Sequence, residues 1–301
     1  MDETSTPNEA APTRLPIQKT YKLYIGGRFP RTESGRYLKI HDHQGVFVAD
    51  ICRASRKDLR NAVVAARNAQ PGWAKRVAFN RGQILYRMAE MLEARRDGFQ
   101  ARLVSVAGYT ADAARDELSA AIDRLVWYAG WCDKYIQLFG ATNPVASHHF
   151  NFTFPEATGV VAVVAPQNAP VLGAVSALAP IILSGNTAVI IIDGPAPQLA
   201  VELGEVFATS DLPGGVVNIL TGLRDELIPW AARHMDIDAI ACYGATDEER
   251  LLIGQGGAES VKRVKHYDDP DAVAWRQDVY QSPYRILPFV EFKTAWHPMG
   301  V

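Results

Sequence analysis

Gly159-Val-Val-Ala-Val-Val-Ala-Pro-Gln-Asn-Ala-Pro170 is the stretch around which the rest of the chain is ordered. Its apolar, β-branched run reads as a strand covered on both faces, because such a strand needs no polar alternation. Pro166 and Pro170 then stop it, since proline lacks a ladder N–H and fixes φ. Gln167 and Asn168 are thereby offered at the carboxyl end of a central strand, which is where open α/β sheets bind ligands.

Downstream, the strand-then-helix pattern repeats. Strands are expected at Val160–Ala165, Thr187–Ile192, Val216–Thr221, Ala239–Tyr243 and Val261–Tyr267. Helices are expected at Leu172–Leu183, Pro197–Thr209, Arg224–Arg233 and Asp247–Gln255. Alternation of this kind predicts a doubly wound parallel sheet. Upstream the period is different. Lys22–Phe29 suggests a hairpin about Gly26-Gly27, followed by an extended piece from Tyr37 to Ala49. Ser55 is a plausible N-cap for a helix that Pro71-Gly72-Trp73 would end. Further helices are expected at Arg81–Arg96, Phe99–Gly108 and Ala111–Phe139, with Trp127, Tyr128, Trp131 and Tyr135 as core. Phe150–Phe154 and Ile286–Trp296 alternate as half-exposed strands.

A chain of 301 residues, 48% hydrophobic and 21% charged, can bury a sizeable core. The net charge of −2 gives no electrostatic case for nucleic acid or an anionic membrane. No apolar stretch reaches bilayer length. Residues 1–19 read as a polar disordered tail rather than a signal peptide. Three scattered cysteines make neither a disulfide framework nor a metal cluster, so a reducing, cytoplasmic setting is the default. His41-x-His43 and His148-His149 have metal-like spacing, but nothing completes a ligand set, and no metal is expected.

Several stretches, in order, resemble the aldehyde dehydrogenase superfamily. They are Tyr24-Ile-Gly-Gly-Arg-Phe29, Tyr128-Ala-Gly-Trp-Cys-Asp-Lys-Tyr135, Gly159–Pro170, Ser184-Gly-Asn-Thr187, Asp211–Asn218 and Ile240–Thr246. The resemblance implies a Rossmann-like NAD-binding-type domain over 20–145 and 156–270. It also implies oligomerisation strands within 146–155 and 284–301, with Phe150–Phe154 and Phe289–Trp296 as their core. Family members carry a catalytic domain of roughly two hundred residues between the last sheet strand and the tail. Here Tyr267 leads through Asp268–Asp271 almost directly to the tail, and the nucleophilic cysteine has no counterpart. Loss of that domain predicts exposed surface where it would pack.

Residue by residue, the resemblance places Asn168 at the family's oxyanion-stabilising asparagine, a group with no work when no thiolate attacks. Hydrogen bonding to turn backbone is its expected use, so no catalytic residue is assigned and Asn168 is vestigial. Pro166, Gln167, Gly222, Gly244 and Thr246 keep cofactor-contact positions. The ribose-holding Lys and Glu become Ile191 and Gly194. Arg224 replaces a glycine in the turn after Gly222, Ala245 a serine, and Glu249 another glycine. Three acids, Asp247–Glu249, suit a helix start but repel a pyrophosphate there. Tyr267 stands at the general base and is a poor one near neutral pH. Cys242 lies within a strand, as an inert cysteine does.

The preferred reading is a non-catalytic subunit assembling with itself or with a complete aldehyde dehydrogenase, with no cofactor expected. One alternative is an NAD(P)-dependent aldehyde oxidoreductase whose site a partner completes. The other is a nucleotide-binding module without turnover.

Overall fold

A computed structural model describes residues 17–300. The expected tail falls, for residues 1–16, outside them. Near the amino end, β1 (Thr20–Tyr21), β2 (Tyr37–His41) and β3 (Phe47–Cys52) form a small sheet in the order β1-β3-β2. The extended piece after Tyr37 is thus two antiparallel strands. The Gly26-Gly27 turn closes only an Ile25–Arg28 bridge, while Tyr24 bridges to Ile219.

Helix α1 (Arg56–Lys75) starts at Ser55 with a reciprocal capping box. Asp58 Oδ2 accepts from the Ser55 N–H (2.8 Å), the Ser55 hydroxyl (3.0 Å) and the Thr32 hydroxyl (2.7 Å). Asp58→Ala strands those donors at a buried cap. It is expected to cost about 1.5–2 kcal/mol in urea denaturation. The helix does not stop at Pro71. It continues to Lys75 because buried Trp73 donates its indole N–H to the Ile182 carbonyl (2.8 Å), anchoring the last turn. Helices α2 (Ala78–Glu93), α3 (Arg96–Ser105) and α4 (Ala111–Ala129) follow, then the short α5 (Tyr135–Phe139). The single helix expected over Ala111–Phe139 is therefore broken at Gly130–Lys134.

The central sheet holds β6 (Val160–Val164), β7 (Thr187–Ile192), β8 (Val217–Thr221), β9 (Ala239–Tyr243) and β10 (Arg263–Tyr267). All pair in parallel in the order β10-β9-β6-β7-β8. Helices α6 (Leu172–Ile182), α7 (Pro197–Ala208), α8 (Arg224–Arg233) and α9 (Asp247–Glu259) connect them. This is the expected Rossmann-like, doubly wound α/β fold. Alternate strand residues serve opposite faces. Val161, Val163 and Ile190 pack in one core with α2, α4 and α6, while Val160, Ala162 and Val189 pack in the other with α1 and α8. The winding reverses between β6 and β9, so the Pro166–Pro170 loop and the Gly244 turn diverge at one sheet edge. Gly159 must be glycine: at φ 139° a Cβ would lie 2.0 Å from Asp238 Oδ2.

A third sheet, order β11-β5-β4, stands apart from the central one: β4 (Ala141–Asn143), β5 (His149–Ala157) and β11 (Val290–Pro298). It takes in residues on both sides of the expected boundaries. Phe289 does not belong to its strand. It is buried in a single 3-10 turn, and strand geometry begins at Val290.

Candidate functional site

The carboxyl ends of β6, β9 and β10 meet the connection Asp268–Phe289. Part of the surface there is covered by this connection, whose own outer side leaves Val273, Val279 and Tyr284 exposed. Trp275 and Ile286 of the connection are fully buried. Trp275 packs against Tyr243 and Tyr280, with ring centroids 5.8 and 5.0 Å away. Arg276 pairs with Asp116 of α4 (2.7 Å), and the Tyr128 hydroxyl reaches the Ser282 carbonyl (3.3 Å). The sequence shows no periodicity over these residues, and their partners lie far away along the chain.

Asp269 of this connection engages the opening loop. Its Oδ2 accepts the Gln167 N–H (2.7 Å) and the Asn168 N–H (3.2 Å), and its Oδ1 accepts the Trp275 indole N–H (3.0 Å). The Asn168 amide donates to the Asp269 main-chain oxygen (3.1 Å), so this side chain ties down backbone. Pro166 is buried, with Gln167 and Asn168 exposed beside it. Gly244, at φ 57°, lies on the other side of the same carboxylate, with Asp269 Cβ 3.1 Å from where its own Cβ would be.

Thr246 begins α9, and its hydroxyl accepts the Glu249 N–H (3.2 Å) while the Glu249 carboxylate accepts the Thr246 N–H (3.0 Å). The Glu249 carboxylate is also gripped by Arg224, the first residue of α8, at 2.8 and 2.9 Å. Arg224 further donates to the Tyr243 carbonyl (3.0 Å), and its own N–H is taken by Asp193 (3.3 Å). Burial alone would raise the Glu249 carboxyl, but the bonds from Arg224 and Thr246 outweigh it and hold it below the usual range. This ion pair fills the start of α9 with protein charge. The sequence signal for it is a pair of departures of opposite sign at two glycine positions.

Gly222 is not part of that group. It lines a separate cleft of about 210 Å³ with Ile40, Ile192, Asp193 and Thr221, smaller than the usual ligand pocket of roughly 300 Å³ or more. Pro166, Gln167, Gly244 and Thr246 thus gather at the switch point, while Gly222 lies beyond β7. The Gln167, Asn168, Thr246 and Glu249 N–H groups are engaged inside the chain, and the Glu249 carboxylate stands at the α9 start, an arrangement that opposes a pyrophosphate there.

No cysteine is placed for nucleophilic work among the described residues. Cys52, Cys132 and Cys242 are all buried and free. Burial pushes the Cys132 thiol up to about 12 and that of Cys242 to about 11, far from thiolate at neutral pH. Tyr267 stacks on Tyr243 at 4.8 Å, and burial raises its hydroxyl to about 12. No group of three or more potential metal ligands occurs among the described residues. No helix among them is long and apolar enough to cross a membrane.

Comparison with known proteins agrees with the fold and with the missing portion. Residues 29–266 match the model of the aldehyde dehydrogenase family. Retinal dehydrogenase 2 of Gallus gallus is 33% identical over 259 residues, covering 83% of this chain but 48% of that protein. The Homo sapiens protein of that name is 32% identical over 252 residues, with coverages of 82% and 48%. The NAD+ complex of a Bacillus cereus aldehyde dehydrogenase superimposes with a TM-score of 0.78 at 27% identity, over 83% of this chain and 51% of that one. The chain spans about half the length of the relatives it matches. With a doubly wound sheet, a three-stranded appended sheet and a family match over most of its length, the chain belongs to the aldehyde dehydrogenase family.

Proposed function

We propose that this chain is a non-catalytic, aldehyde dehydrogenase-like subunit that assembles with itself or with a complete aldehyde dehydrogenase through the β11-β5-β4 sheet. The observation that carries the reading is the aromatic load on both faces of that sheet. Phe150, Phe152 and Phe154 form a row on one face, with centroids 5.5 and 5.8 Å apart. On the other face Phe292 and Trp296 are 49% and 58% exposed. β11 is also an edge strand with a free row of ladder groups. Exposed apolar surface next to a free strand edge favours association. The arrangement of the switch point supports a role without turnover, since Asp269 and Glu249 accept from its N–H groups and Arg224 is spent on Glu249. A reducing, cytoplasmic setting fits three buried free cysteines.

Light scattering coupled to size exclusion tests the assembly. The expected result is a dimer or larger species that Phe152→Asp with Trp296→Glu converts to monomer. A wild-type monomer that stays soluble at high concentration would sink the reading. A second reading, residual NAD(P) binding with or without chemistry completed by a partner, is favoured by the likeness to the NAD+ complex from Bacillus cereus. Isothermal titration with NAD+ and NADP+ separates the two, and micromolar heats would support the second.

A further inference from the structure

The outer groove between α1 and α8 gathers cations without matching acids. A cleft of about 220 Å³ there is lined by Arg56, Leu59 and Arg60 of α1 and by Trp230, Arg233 and His234 at the end of α8. Arg56 and Arg60 share one face of α1 at i,i+4 spacing, as Trp230 and Arg233 do on α8 at i,i+3. The Arg56 guanidinium lies 3.8 Å over the centre of the Trp230 ring. Stacking of that kind uses the face of the fork and leaves its in-plane N–H groups for an acceptor. A second cleft, of about 350 Å³, also has Arg56 and Arg60 in its wall, together with Glu33, Ser34, Ser55 and Lys57.

Neighbouring charges do not account for these arginines. Arg36 and Arg53 are both spent on Glu226, and Lys57 pairs with Glu33 (3.2 Å). Arg233 reaches Glu259 only at 3.9 Å, with the two side chains 61% and 60% exposed. Arg56 and Arg60 form no ion pair among the described residues, and no carboxylate lines the smaller cleft. His234 adds no charge, because its Nδ1 accepts the Asp236 N–H (3.2 Å) and burial holds the ring below its usual range. Helix stability does not account for them either. Arg56 and Lys57 stand in the first turn of α1, where the dipole favours acids. The same dipole adds to the positive potential over the groove.

We propose that this groove binds a phosphate group, free or carried by a small monoester, with Arg56, Arg60 and Arg233 as its donors. Guanidinium forks match phosphate oxygens with paired N–H···O bonds, and three forks can use more acceptor oxygens than a carboxylate presents. The smaller cleft admits a phosphate but not a dinucleotide. Trp230 and Leu59 give it an apolar side on which the organic part of an ester would rest. Arg224 and Glu249, which join α8 to α9, take no part. The site does not depend on how the chain assembles.

The test is isothermal titration of the full chain at low ionic strength and about pH 8, where phosphate esters are dianionic. Sodium phosphate, phenyl phosphate and sodium acetate are the three probes. Phosphate is expected to saturate one site, about tenfold or more tighter than acetate. Arg60→Gln and Arg233→Gln, on different helices, should each weaken it about tenfold while moving the melting point by no more than about 2 °C. Phenyl phosphate binding tighter than phosphate, with the gain lost in Trp230→Leu, supports a monoester as the ligand, and equal affinities support the free ion. Acetate binding as tightly as phosphate would overturn the proposal. So would phosphate heats that are absent in wild type or unchanged in both arginine variants.

Discussion

Trp275→Ala is expected to destabilise the protein by about 3–5 kcal/mol, read as a lower urea midpoint at nearly constant slope. The side chain is fully buried, so its truncation leaves a cavity against Tyr243 and Tyr280. The loss also reaches polar groups. The indole N–H helps hold Asp269, whose other oxygen secures the Gln167 and Asn168 N–H groups at the end of β6. Freed of Trp275, the 268–289 connection should also be cut earlier in limited proteolysis, since its 3-10 turns have little regular backbone bonding of their own. A cost below about 1 kcal/mol would show that the connection is a loose flap rather than part of the core.

The second large effect is expected at Glu249. Glu249→Gln leaves the Arg224 guanidinium mostly buried without its charge partner, and breaking such a pair costs about 3–5 kcal/mol when burial is complete. Here the side chains are 11% and 18% exposed, and Arg224 keeps the Tyr243 carbonyl, so about 2–3 kcal/mol is the expected loss. The pH dependence has a definite sign. The carboxyl is held below its ordinary value in the folded state, so its stabilisation is present above the unfolded value near ~4.3. It is lost as pH falls through the lower folded value. The gap between wild type and Glu249→Gln should therefore be constant near pH 7 and close below about pH 4. A gap that persists in acid would mean that packing rather than charge sets the effect.

Much of the fold was legible because its periods are clean. The apolar runs at Val160, Thr187 and Ala239 have no polar face, and all three strands are buried on both sides. Ser55 as an N-cap marked the start of α1 correctly. The ends were harder, because tertiary contacts decide them. Trp73 carries α1 past a proline that local chemistry reads as a stop, and burial of Phe289 delays β11. At the site, the replacement of glycines by Arg224 and Glu249 was visible, yet their pairing was not. The connection was the least legible part, since Asp269 and the Gln167 N–H lie 102 positions apart and no repeat links them.

The register of β5 with β11 bears on the order in which the protein can mature. Ala157 faces Val290 and His149 faces Pro298, so strands about 130 residues apart in sequence must find each other. During synthesis β5 emerges with only the three-residue β4 to pair with, and its phenylalanine row stands bare while the whole central sheet is being made. Long-range pairing of this kind is slow and leaves nascent chains prone to sticking. A chaperone or an already folded subunit that shields this row as the chain leaves the ribosome would raise the yield of native protein, so co-expression with such a partner should matter more for solubility than any change to the central sheet.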